Sequence, residues 1–599
     1  MTLKKILAAL LAATALLWLP PTHAQTAKTS FDIDIRAPEA VRSLLEKHLE
    51  LMRYREVTDL DDAELARLIT LAERDVRELV ATLGYFTPRI LIAREPGPRP
   101  SVVVAVDPGA ITTVHDVAID FEGDIATSAD QGAVRQRESI KEGWPLPAGQ
   151  PFTQGAWDDA KADAQRRLVL QRYPAGRLTY SIADIDAPGH RARLGLRLDS
   201  GPLFRLGELQ VSGMQRYDPV LVPRLARLPP GSVYDRDRLI QAQLRLTGSG
   251  YFDSAFILVD PQADPLAAPV QVTVREAPLQ KVVLGVGVTT DSGPRASIEY
   301  THNRVPGIGW RAVSKLDLDR KTPSVQTEWT AIPDERGWRW AALARAERLD
   351  DGNLLTHGQR LRFGRLRSEE HIDRNVYLQY DRATVQTVAG LPVTDVQSGA
   401  GSALSANYVW TGRYFDSETF PTQGHGVGIE LGGGVTLTGQ RSPFQRTVFR
   451  WLGLFPLKEK ASGRIQVRTE LGAVLARAAA EIPGTQLFRT GGDASVRGYG
   501  LREIGVALPG GQIGPGRYQA VGSVEWQRPV QWKGRATSFE SVLFADAGAV
   551  ADRVGDLRAS VGVGTGVRWK SPVGPLQADI AYGLKSRDIR LHMRVGFVF

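Results

Sequence analysis

The chain has 599 residues, of which 43% are hydrophobic and 23% charged, and this length predicts several domains rather than one hydrophobic core. It contains no Cys, which excludes disulfides and thiolate metal sites, and its formal net charge of +8 is too diluted to indicate nucleic-acid binding. The 60 Gly residues exceed the average frequency and suit closely packed, curved strands.

Residues 1–24 predict a secretory signal peptide. Lys4 and Lys5 form a basic region, and a short apolar run over residues 6–19 precedes the small residue Ala24 at a cleavage site. The run is too short to favour the alternative of a single-pass membrane anchor. Since no later segment approaches about 20 unbroken apolar residues, any passage through a membrane is expected to use a barrel.

Between residues 25 and 277, helix and strand patterns alternate, and one unit recurs three times. In each copy an amphipathic helix ends at a short junction with a central Tyr, and the following strands end in a Gly or Pro turn. Each copy predicts a β-α-α-β-β unit, and three unrelated small α+β domains are the alternative. The junctions are Gly84-Tyr85-Phe86, Arg172-Tyr173-Pro174 and Gly250-Tyr251-Phe252, and the predicted unit bounds are 25–109, 110–201 and 202–277.

From residue 278 to residue 599 the pattern changes to strands of period two, separated by turns rich in Gly, Pro and Asp. A transmembrane strand takes about 9–11 residues, or about 20 with its connections, so this length predicts about 16 antiparallel strands. The polar face of each strand suits a wet lumen and would be costly against lipid. The predicted fold is therefore three α+β repeats followed by an all-β transmembrane barrel.

The final strand has the clearest alternation in the chain. Its odd positions are apolar, and its even positions are polar or Gly until Val598. Such a strand is typical of a barrel wall with an outward apolar face and an aromatic residue at the membrane interface. An amphipathic strand in a soluble β-sandwich is the alternative. The apolar positions are Ile589, Leu591, Met593, Val595, Phe597 and Phe599.

A Gly-rich segment, Val496-Arg497-Gly498-Tyr499-Gly500, predicts a tight loop that presents one cation. It resembles the VRGYG motif of the outer-membrane assembly superfamily that contains BamA, TamA and the two-partner-secretion transporters. The resemblance implies that the loop folds back into a barrel lumen, where Arg497 pairs with the acid of a Phe-x-Asp motif, here Asp546 in Phe544-Ala545-Asp546. It also implies a second acid on the strand between them, for which Glu525 is the candidate.

We call this predicted set the latch, and it comprises Arg497, Gly498, Tyr499, Gly500, Glu525 and Asp546. A bidentate bond between Arg and carboxylate would hold the loop in the lumen, close the pore against leakage and stiffen the C-terminal strands. The alternative for Asp546 is that it simply opens a turn with the following Ala and Gly.

In the same superfamily the first and last barrel strands meet at a lateral gate. Glycines on the lumen face of the first strand add little packing, so this seam is expected to be weak. An open seam offers unpaired backbone groups to which a client strand can add. The predicted gate residues are Val282, Leu284, Gly285, Val286, Gly287, Val288, Met593, Val595 and Phe597, and the resemblance implies a C-terminal insertion signal at Phe597 and Phe599.

Three repeats before a 16-stranded barrel resemble the organisation of TamA-type members of the superfamily. The resemblance implies an outer-membrane component of a translocation and assembly module that inserts or secretes outer-membrane and autotransporter proteins, with its repeats in the periplasm. The implied partners are a TamB-like protein anchored in the inner membrane, the client proteins and outer-membrane lipid, with no cofactor and no nucleic acid. A two-partner-secretion transporter that exports one exoprotein through the lumen is the alternative, and a passive porin is the third hypothesis.

Enzyme signatures are absent from the sequence, which has no phosphate-binding P-loop, no H-E-x-x-H and no G-x-S-x-G motif. Glu369-Glu370-His371 with Asp373 is the one acid–His cluster, and it falls in a predicted turn where no metal site is expected. The run from Gly562 to Gly566 predicts a Gly-lined strand rather than a phosphate loop, because no helix pattern follows it.

Overall fold

The computed structural model describes residues 31–57, 60–95, 101–289, 292–352, 354–387, 393–417, 420–533, 535–571 and 574–595. The predicted signal peptide, Phe597 and Phe599 lie outside the described residues. The chain divides into two compact units. The first runs to Glu208 and adds Pro229–Asp237 and Val259–Pro269, whereas the second contains Leu209–Leu228, Arg238–Leu258 and the chain from Val270 onward.

The first α/β repeat consists of β1 (Asp32–Arg36), α1 (Glu39–His48), α2 (Glu50–Tyr54), α3 (Asp62–Thr82), β2 (Arg89–Glu95) and β3 (Ser101–Asp107). Its sheet order is β1-β3-β2, with β1 parallel and β2 antiparallel to the central strand. The N-cap Asp61 accepts a hydrogen bond of 2.7 Å from the backbone N–H of Glu64 at the start of α3. The stripe of α3 that packs on the sheet comprises Leu65, Leu68, Ala72, Val76 and Val80.

The second repeat consists of β4 (Thr113–Glu122), α4 (Asp124–Thr127), α5 (Gln131–Glu142), α6 (Gln154–Leu170), β5 (Arg177–Asp186) and β6 (Arg191–Asp199), in the sheet order β4-β6-β5. Its junction differs from the others, because Arg172 takes the left-handed conformation (φ 66°) that Gly84 takes in the first copy (φ 91°). Tyr173 is fully buried, and its hydroxyl donates a 2.8 Å hydrogen bond to Asp124. Burial, and secondarily this bond, raise the pKa of Tyr173 to about 12.

The third repeat consists of β7 (Leu206–Ser212), α7 (Leu221–Ala226), α8 (Arg236–Gly248), β8 (Phe252–Val259) and β9 (Ala268–Glu276), in the sheet order β7-β9-β8. All three repeats thus place their last strand at the centre of the sheet, and the first two add a short helix to the predicted β-α-α-β-β unit. The exact domain bounds remain predictions. No helix in the described part of the chain combines the length and apolar character needed to cross a membrane.

The remaining strands form one antiparallel sheet of 16 members, as predicted. Consecutive strands pair throughout, except that β20 pairs with β23 across a long loop that carries the two-residue strands β21 and β22. The strands are β10 (Gln280–Thr289), β11 (Gly293–His302), β12 (Arg311–Leu318), β13 (Ser324–Thr330), β14 (Arg339–Asp350), β15 (Leu354–Ser368), β16 (Ile372–Thr387), β17 (Gly401–Phe415), β18 (Gly424–Thr436), β19 (Pro443–Pro456), β20 (Arg464–Ala476), β21 (Val506–Ala507), β22 (Ile513–Gly514), β23 (Tyr518–Trp532), β24 (Arg535–Ala551), β25 (Ser560–Ser571), β26 (Gly574–Gly583) and β27 (Ile589–Val595).

The sheet curls into a barrel, because its edge strands β10 and β27 approach each other with Cα atoms within 8 Å. We call the end at which β10 begins the proximal end, since the chain enters it from the α/β repeats, and the opposite end the distal end. Strands alternate exposed apolar residues on the outer face, such as Leu361 and Phe363, with polar residues on the inner face, such as Arg360 and Arg362.

The long distal loop, residues 477–517, lies against the inner face of the barrel. It folds back on itself through antiparallel bridges between Phe488 and Gly516 and between Thr490 and Ile504. Val496 at the loop tip is fully buried, and its side chain packs with Val521 of β23. The loop therefore fills part of the lumen with packed protein.

Candidate functional site: a charged cluster in the lumen and the two edge strands

The guanidinium of Arg497 lies inside the barrel, where the residue is only 4% exposed. Its Nε and Nη2 donate to the two carboxylate oxygens of Asp546 at 2.7 and 2.8 Å, and its backbone N–H donates to the same carboxylate at 3.0 Å. The guanidinium carbon also lies 3.4 Å from the ring centroid of Phe544, two residues before Asp546. The arrangement is the bidentate pairing that gives Arg–carboxylate bonds their geometric specificity.

Two further carboxylates complete the surroundings of Arg497. Glu525 of β23 lies 2.7 Å from Nη2, and Asp579 of β26 accepts from Nη1 at 2.8 Å. Ser523 of β23 donates to Asp546 at 2.6 Å and thereby fixes the carboxylate opposite the loop. One loop residue thus contacts acids from three different strands of the C-terminal wall.

Arg568 of β25 is a second cation in this cluster. Its side chain bonds to both oxygens of Asp579, one of them at 3.1 Å, and lies 3.3 Å from Glu525. Gln527 donates to Glu525 at 2.9 Å. We call Arg497, Glu525, Asp546, Arg568 and Asp579 the luminal cluster. Each of its five side chains is at most 7% exposed.

Burial at this level makes the luminal cluster sensitive to the loss of any member. Two guanidinium groups face three carboxylates, and Arg468 of β20 adjoins them while donating to the loop carbonyl of Ser495 at 2.6 Å. Removing one partner of a buried ion pair costs about 3–5 kcal/mol, because the remaining charge loses both solvent and counter-charge. The cluster is therefore suited to hold the loop in one place rather than to carry out bond chemistry.

Glycines in the C-terminal strands let the loop backbone approach the wall. A Cβ atom at Gly562 of β25 would lie 1.8 Å from the carbonyl oxygen of Arg497, and one at Gly583 would lie 2.5 Å from that of Gly498. On β25, a Cβ at Gly566 would lie 1.8 Å from a carboxylate oxygen of Asp579. The predicted Gly-lined strand is confirmed, and its glycines make room for the loop and the luminal cluster.

The other residues of the Gly-rich segment tie the loop to the last strands. Gly498 adopts φ 91°, and its N–H donates to Nε2 of His592 on β27 at 3.0 Å. The Tyr499 hydroxyl donates to the carbonyl of Val561 at 3.1 Å and accepts from the N–H of Lys585 at 3.1 Å. The N–H of Gly500 is bound by the Glu503 carboxylate within the loop.

A second anchor holds the first part of the loop to the opposite wall. Asp381 of β16 is fully buried and accepts from Arg360 of β15 at 2.8 Å, from Thr485 at 3.1 Å and from Gln486 at 2.5 Å. Arg489 of the loop pairs with Asp351 in the turn between β14 and β15. The loop is thus fixed at two places on different parts of the barrel wall.

The two edge strands show a different arrangement at the seam. Among the described residues no backbone ladder joins β10 to β27, although the strands lie side by side. Val282, Leu284 and Val286 point outward, and Val286 is 94% exposed. On the inner face, a Cβ at Gly287 would meet no atom within 4 Å, so this part of the strand is loosely packed.

The last strand presents its apolar residues outward in the same way. Ile589, Leu591 and Met593 are exposed, whereas His592 between them is buried on the inner face. The predicted alternation is therefore present in the described part of the strand. The side chains of Val288 and Val595 and the whole of Phe597 and Phe599 lie outside the described residues.

The structure brings Arg497, Asp546 and Glu525 together, and it places Asp546 in the middle of β24, so the alternative of a turn at this residue is wrong. Sequence reasoning missed Asp579 and Arg568. Their signal was present, because both are charged residues at inward positions of strands whose outward positions are apolar. In the described ranges no group of three or more acidic or His side chains is placed to hold a metal ion, and Glu369 instead pairs with Arg367 and Arg374.

Comparison with known proteins identifies a family model for the barrel segment and relatives of a larger part of the chain. A family model described as the Omp85 superfamily domain matches residues 280–599. The outer membrane protein assembly factor BamA of Neisseria meningitidis serogroup B is 23% identical over 459 residues, which cover 65% of this chain and 56% of that protein. BamA of Nitratidesulfovibrio vulgaris is 25% identical over 401 residues, which cover 65% of this chain and 50% of that protein. The chain spans about half the length of these curated relatives.

A solved structure shares the fold. BamA from Haemophilus ducreyi lacking POTRA domains 1-3 superimposes with a TM-score of 0.55 at 17% identity, covering 81% of this chain and 100% of that chain. The three α/β repeats followed by 16 antiparallel strands are the arrangement of POTRA domains before a barrel of this kind.

Proposed function

The chain belongs to the Omp85 superfamily, and from that membership we propose that it is an assembly barrel of the Gram-negative outer membrane, with its repeats in the periplasm. In this proposal it inserts or secretes outer-membrane and autotransporter proteins through a lateral gate between β10 and β27. The observation that carries the proposal is the seam itself, where two strands lie side by side among the described residues without a ladder. Such edges are the natural template for adding another β-strand.

The chemistry of strand addition needs only backbone hydrogen bonds. A client strand that pairs with β10 satisfies N–H and C=O groups that would otherwise face lipid, where each unsatisfied group costs several kcal/mol. The outward residues Val282, Leu284 and Val286 keep that strand compatible with the membrane before and after pairing. No catalytic side chain and no cofactor are required for this exchange.

The filled lumen argues against the two alternatives that need an open channel. A transporter that exports a chain through the lumen, or a passive porin, would have to displace a loop held by the luminal cluster and by Asp381. Displacing the loop would break the ion pairs of Arg497 with three carboxylates and the hydrogen bonds of Thr485 and Gln486 to Asp381 together. A gate in the wall leaves these contacts intact, so the lateral route is favoured over the luminal route.

In this account the luminal cluster acts as the latch that the sequence predicts. It ties the loop to β23, β24 and β26, and Gly498 adds β27, so the C-terminal side of the seam is held in register while the seam opens. Arg590 of β27 adds a further tie to Glu503 of the loop at 3.2 Å. The latch therefore holds the β27 side of the seam in place while the client strand pairs with β10.

We further propose the TamA type of module for this chain, with a TamB-like protein anchored in the inner membrane as its periplasmic partner. The support is the number of repeats, three before the barrel, and each repeat has a three-stranded sheet whose two edge strands are the kind of element to which a partner strand can add. Co-purification of such a partner with the full chain, and its loss when the repeats are deleted, would support this part of the proposal.

The function is tested by reconstitution of the purified full chain into phospholipid vesicles with a urea-denatured outer-membrane barrel as client. We expect faster folding of the client than in empty vesicles, measured by the electrophoretic shift of the folded form, with the client embedded in the membrane. A client that reaches the vesicle interior instead of the bilayer would support export through the lumen. Folding at the rate seen in empty vesicles would contradict both activities.

A further inference from the structure

The outer face of β14, β15 and β16 carries an unusual row of cations near its distal end. The register of the strands places His357 beside Arg348 on one side and beside Thr384 on the other. One row nearer the middle, Gln359 pairs with Arg382. Because side chains alternate across a strand, these residues share the outward face with Leu361 and Phe363.

We call Arg348, His357 and Arg382 the distal basic patch. All three residues are exposed, and the Arg348 side chain retains 48% of its accessible surface. From strand spacing of about 4.8 Å and a rise of about 3.4 Å per residue, the Arg348 and Arg382 backbones are about 12 Å apart. The acidic neighbour on this face is Asp350, whose carboxylate lies 3.7 Å from Arg348.

The next rows toward the proximal end are apolar, which fixes the height of the patch. Leu361, Phe363 and Leu378 are each more than half exposed, as expected for residues that face hydrocarbon. Arg on the lipid face costs about 2–4 kcal/mol at the midplane of a membrane but only about 0–1 kcal/mol near the interface. The distal basic patch thus lies at the distal border of the apolar band, where a layer of lipid headgroups would contact the barrel.

The tryptophans of the barrel are distributed unevenly between its two ends. All nine Trp residues after residue 278 lie in proximal turns or in the proximal halves of strands: Trp310, Trp329, Trp338, Trp340, Trp410, Trp451, Trp526, Trp532 and Trp569. Trp is enriched at membrane–water interfaces. On β14–β16 the proximal border also carries outward arginines, Arg365, Arg367 and Arg374, but these pair with Asp334 and Glu369. The distal border of the same strands has Arg348 and Arg382 and no Trp.

We propose that the distal basic patch binds the phosphorylated headgroup of an anionic glycolipid of the outer leaflet. Two arginines whose backbones are about 12 Å apart match a headgroup that carries two separate phosphates better than one that carries a single phosphate. Apolar rows directly below would hold its acyl chains. The inference rests on the proposed outer-membrane location but not on the gate. The patch lies on β14, β15 and β16, which are not edge strands, and it includes no gate residue.

The test measures binding of diphosphorylated lipid A to the full chain in detergent by native mass spectrometry. The double variant Arg348→Gln/Arg382→Gln is expected to bind lipid A about 30-fold more weakly, from about 1 kcal/mol for each cation. The matched control is Arg528→Gln, an exposed outward Arg at the proximal end of β23, which is expected to leave lipid A binding unchanged.

Two comparisons complete the test. A second lipid shows whether the patch prefers two phosphates to one, and an assay of client folding distinguishes lipid binding from the proposed gate. Phosphatidylglycerol, with one phosphate, is expected to bind more weakly than lipid A and to lose little in the double variant. Equal binding of lipid A to the wild type and the double variant would contradict the proposal that the distal basic patch binds this lipid. An equal loss of binding in Arg528→Gln would contradict it as well. The double variant is also tested for client folding in phospholipid vesicles, where unchanged activity together with lost lipid A binding supports the patch independently of the gate.

Discussion

At the scale of single residues, Arg497 is the most connected member of the luminal cluster, because it contacts three carboxylates whereas Asp546 contacts one cation. We therefore expect Arg497→Ala to lower the stability of the barrel by about 3–5 kcal/mol, and Asp546→Ala to lower it by less. The measurement is the temperature at which the folded form converts to the unfolded form in electrophoresis. Arg553→Ala, in an exposed distal turn, is the control and should have no effect.

The double variant distinguishes a shared bond from two separate roles. If Arg497 and Asp546 stabilise the barrel through each other, the loss in the double variant is smaller than the sum of the two single losses by about 1–3 kcal/mol. A loss equal to that sum would mean that the two residues act independently, and the latch would then be an incorrect description.

Gly562 permits a test of the loop position that leaves every charge in place. Gly562→Ala puts a methyl group 1.8 Å from the carbonyl oxygen of Arg497, so the loop must move away from β25. We expect a drop in the unfolding temperature and greater protease cleavage within residues 477–517. Gly522→Ala on β23 is the control, because its Cβ would meet no atom within 4 Å. Equal behaviour of the two variants would contradict the close packing of the loop.

Sequence reasoning reached the pair Arg497–Asp546 because short motifs carry both residues. It did not reach Asp579 or Arg568, which belong to no motif and become partners only when β25 and β26 lie side by side. It also missed Asp381, which is brought to Gln486 by the fold of a loop more than a hundred residues later in the chain. Long-range contacts of this kind depend on topology that local patterns do not encode.

At the scale of elements, the junctions after the long helices decide whether each repeat folds correctly. Gly84 adopts φ 91°, and a Cβ there would lie 2.0 Å from the carbonyl oxygen of Phe152. We expect Gly84→Ala to lose at least 2 kcal/mol locally, from backbone strain and this clash. Hydrogen exchange of the full chain should then show faster exchange in α3 and β2.

The control for this prediction is Gly155→Ala in α6, where a Cβ would meet no atom within 4 Å. That change should slow exchange slightly, since Ala favours a helix over Gly by about 1 kcal/mol. Unchanged exchange around Gly84→Ala would show that the junction tolerates a side chain. In the second copy Arg172 takes the left-handed conformation without Gly, and its guanidinium lies 2.8 Å from Asp130.

At the scale of the whole molecule, the 16 strands follow from period-two alternation and length, and the repeats follow from the helix stripes and their junctions. The lack of a ladder between β10 and β27 within the described ranges could not be predicted from sequence, because both strands have the alternation of ordinary barrel strands. Only the inward Gly285 and Gly287 hinted at a weak seam. Closure joins residues about 300 positions apart, and its strength depends on packing rather than on pattern.

The most direct test of the lateral gate is an engineered disulfide across the seam between β10 and β27. Because the chain has no native Cys, no other thiol can compete for the pairing. Val286→Cys is combined in turn with Ile589→Cys, Leu591→Cys or Met593→Cys, and the pair that oxidises completely is kept. The control pair Ala344→Cys/Leu361→Cys joins registered neighbours on β14 and β15, away from the seam. We predict that oxidation of the seam pair abolishes client folding, that a reductant restores it, and that the control pair has no effect. Full client folding by completely oxidised seam-locked protein would contradict the lateral gate.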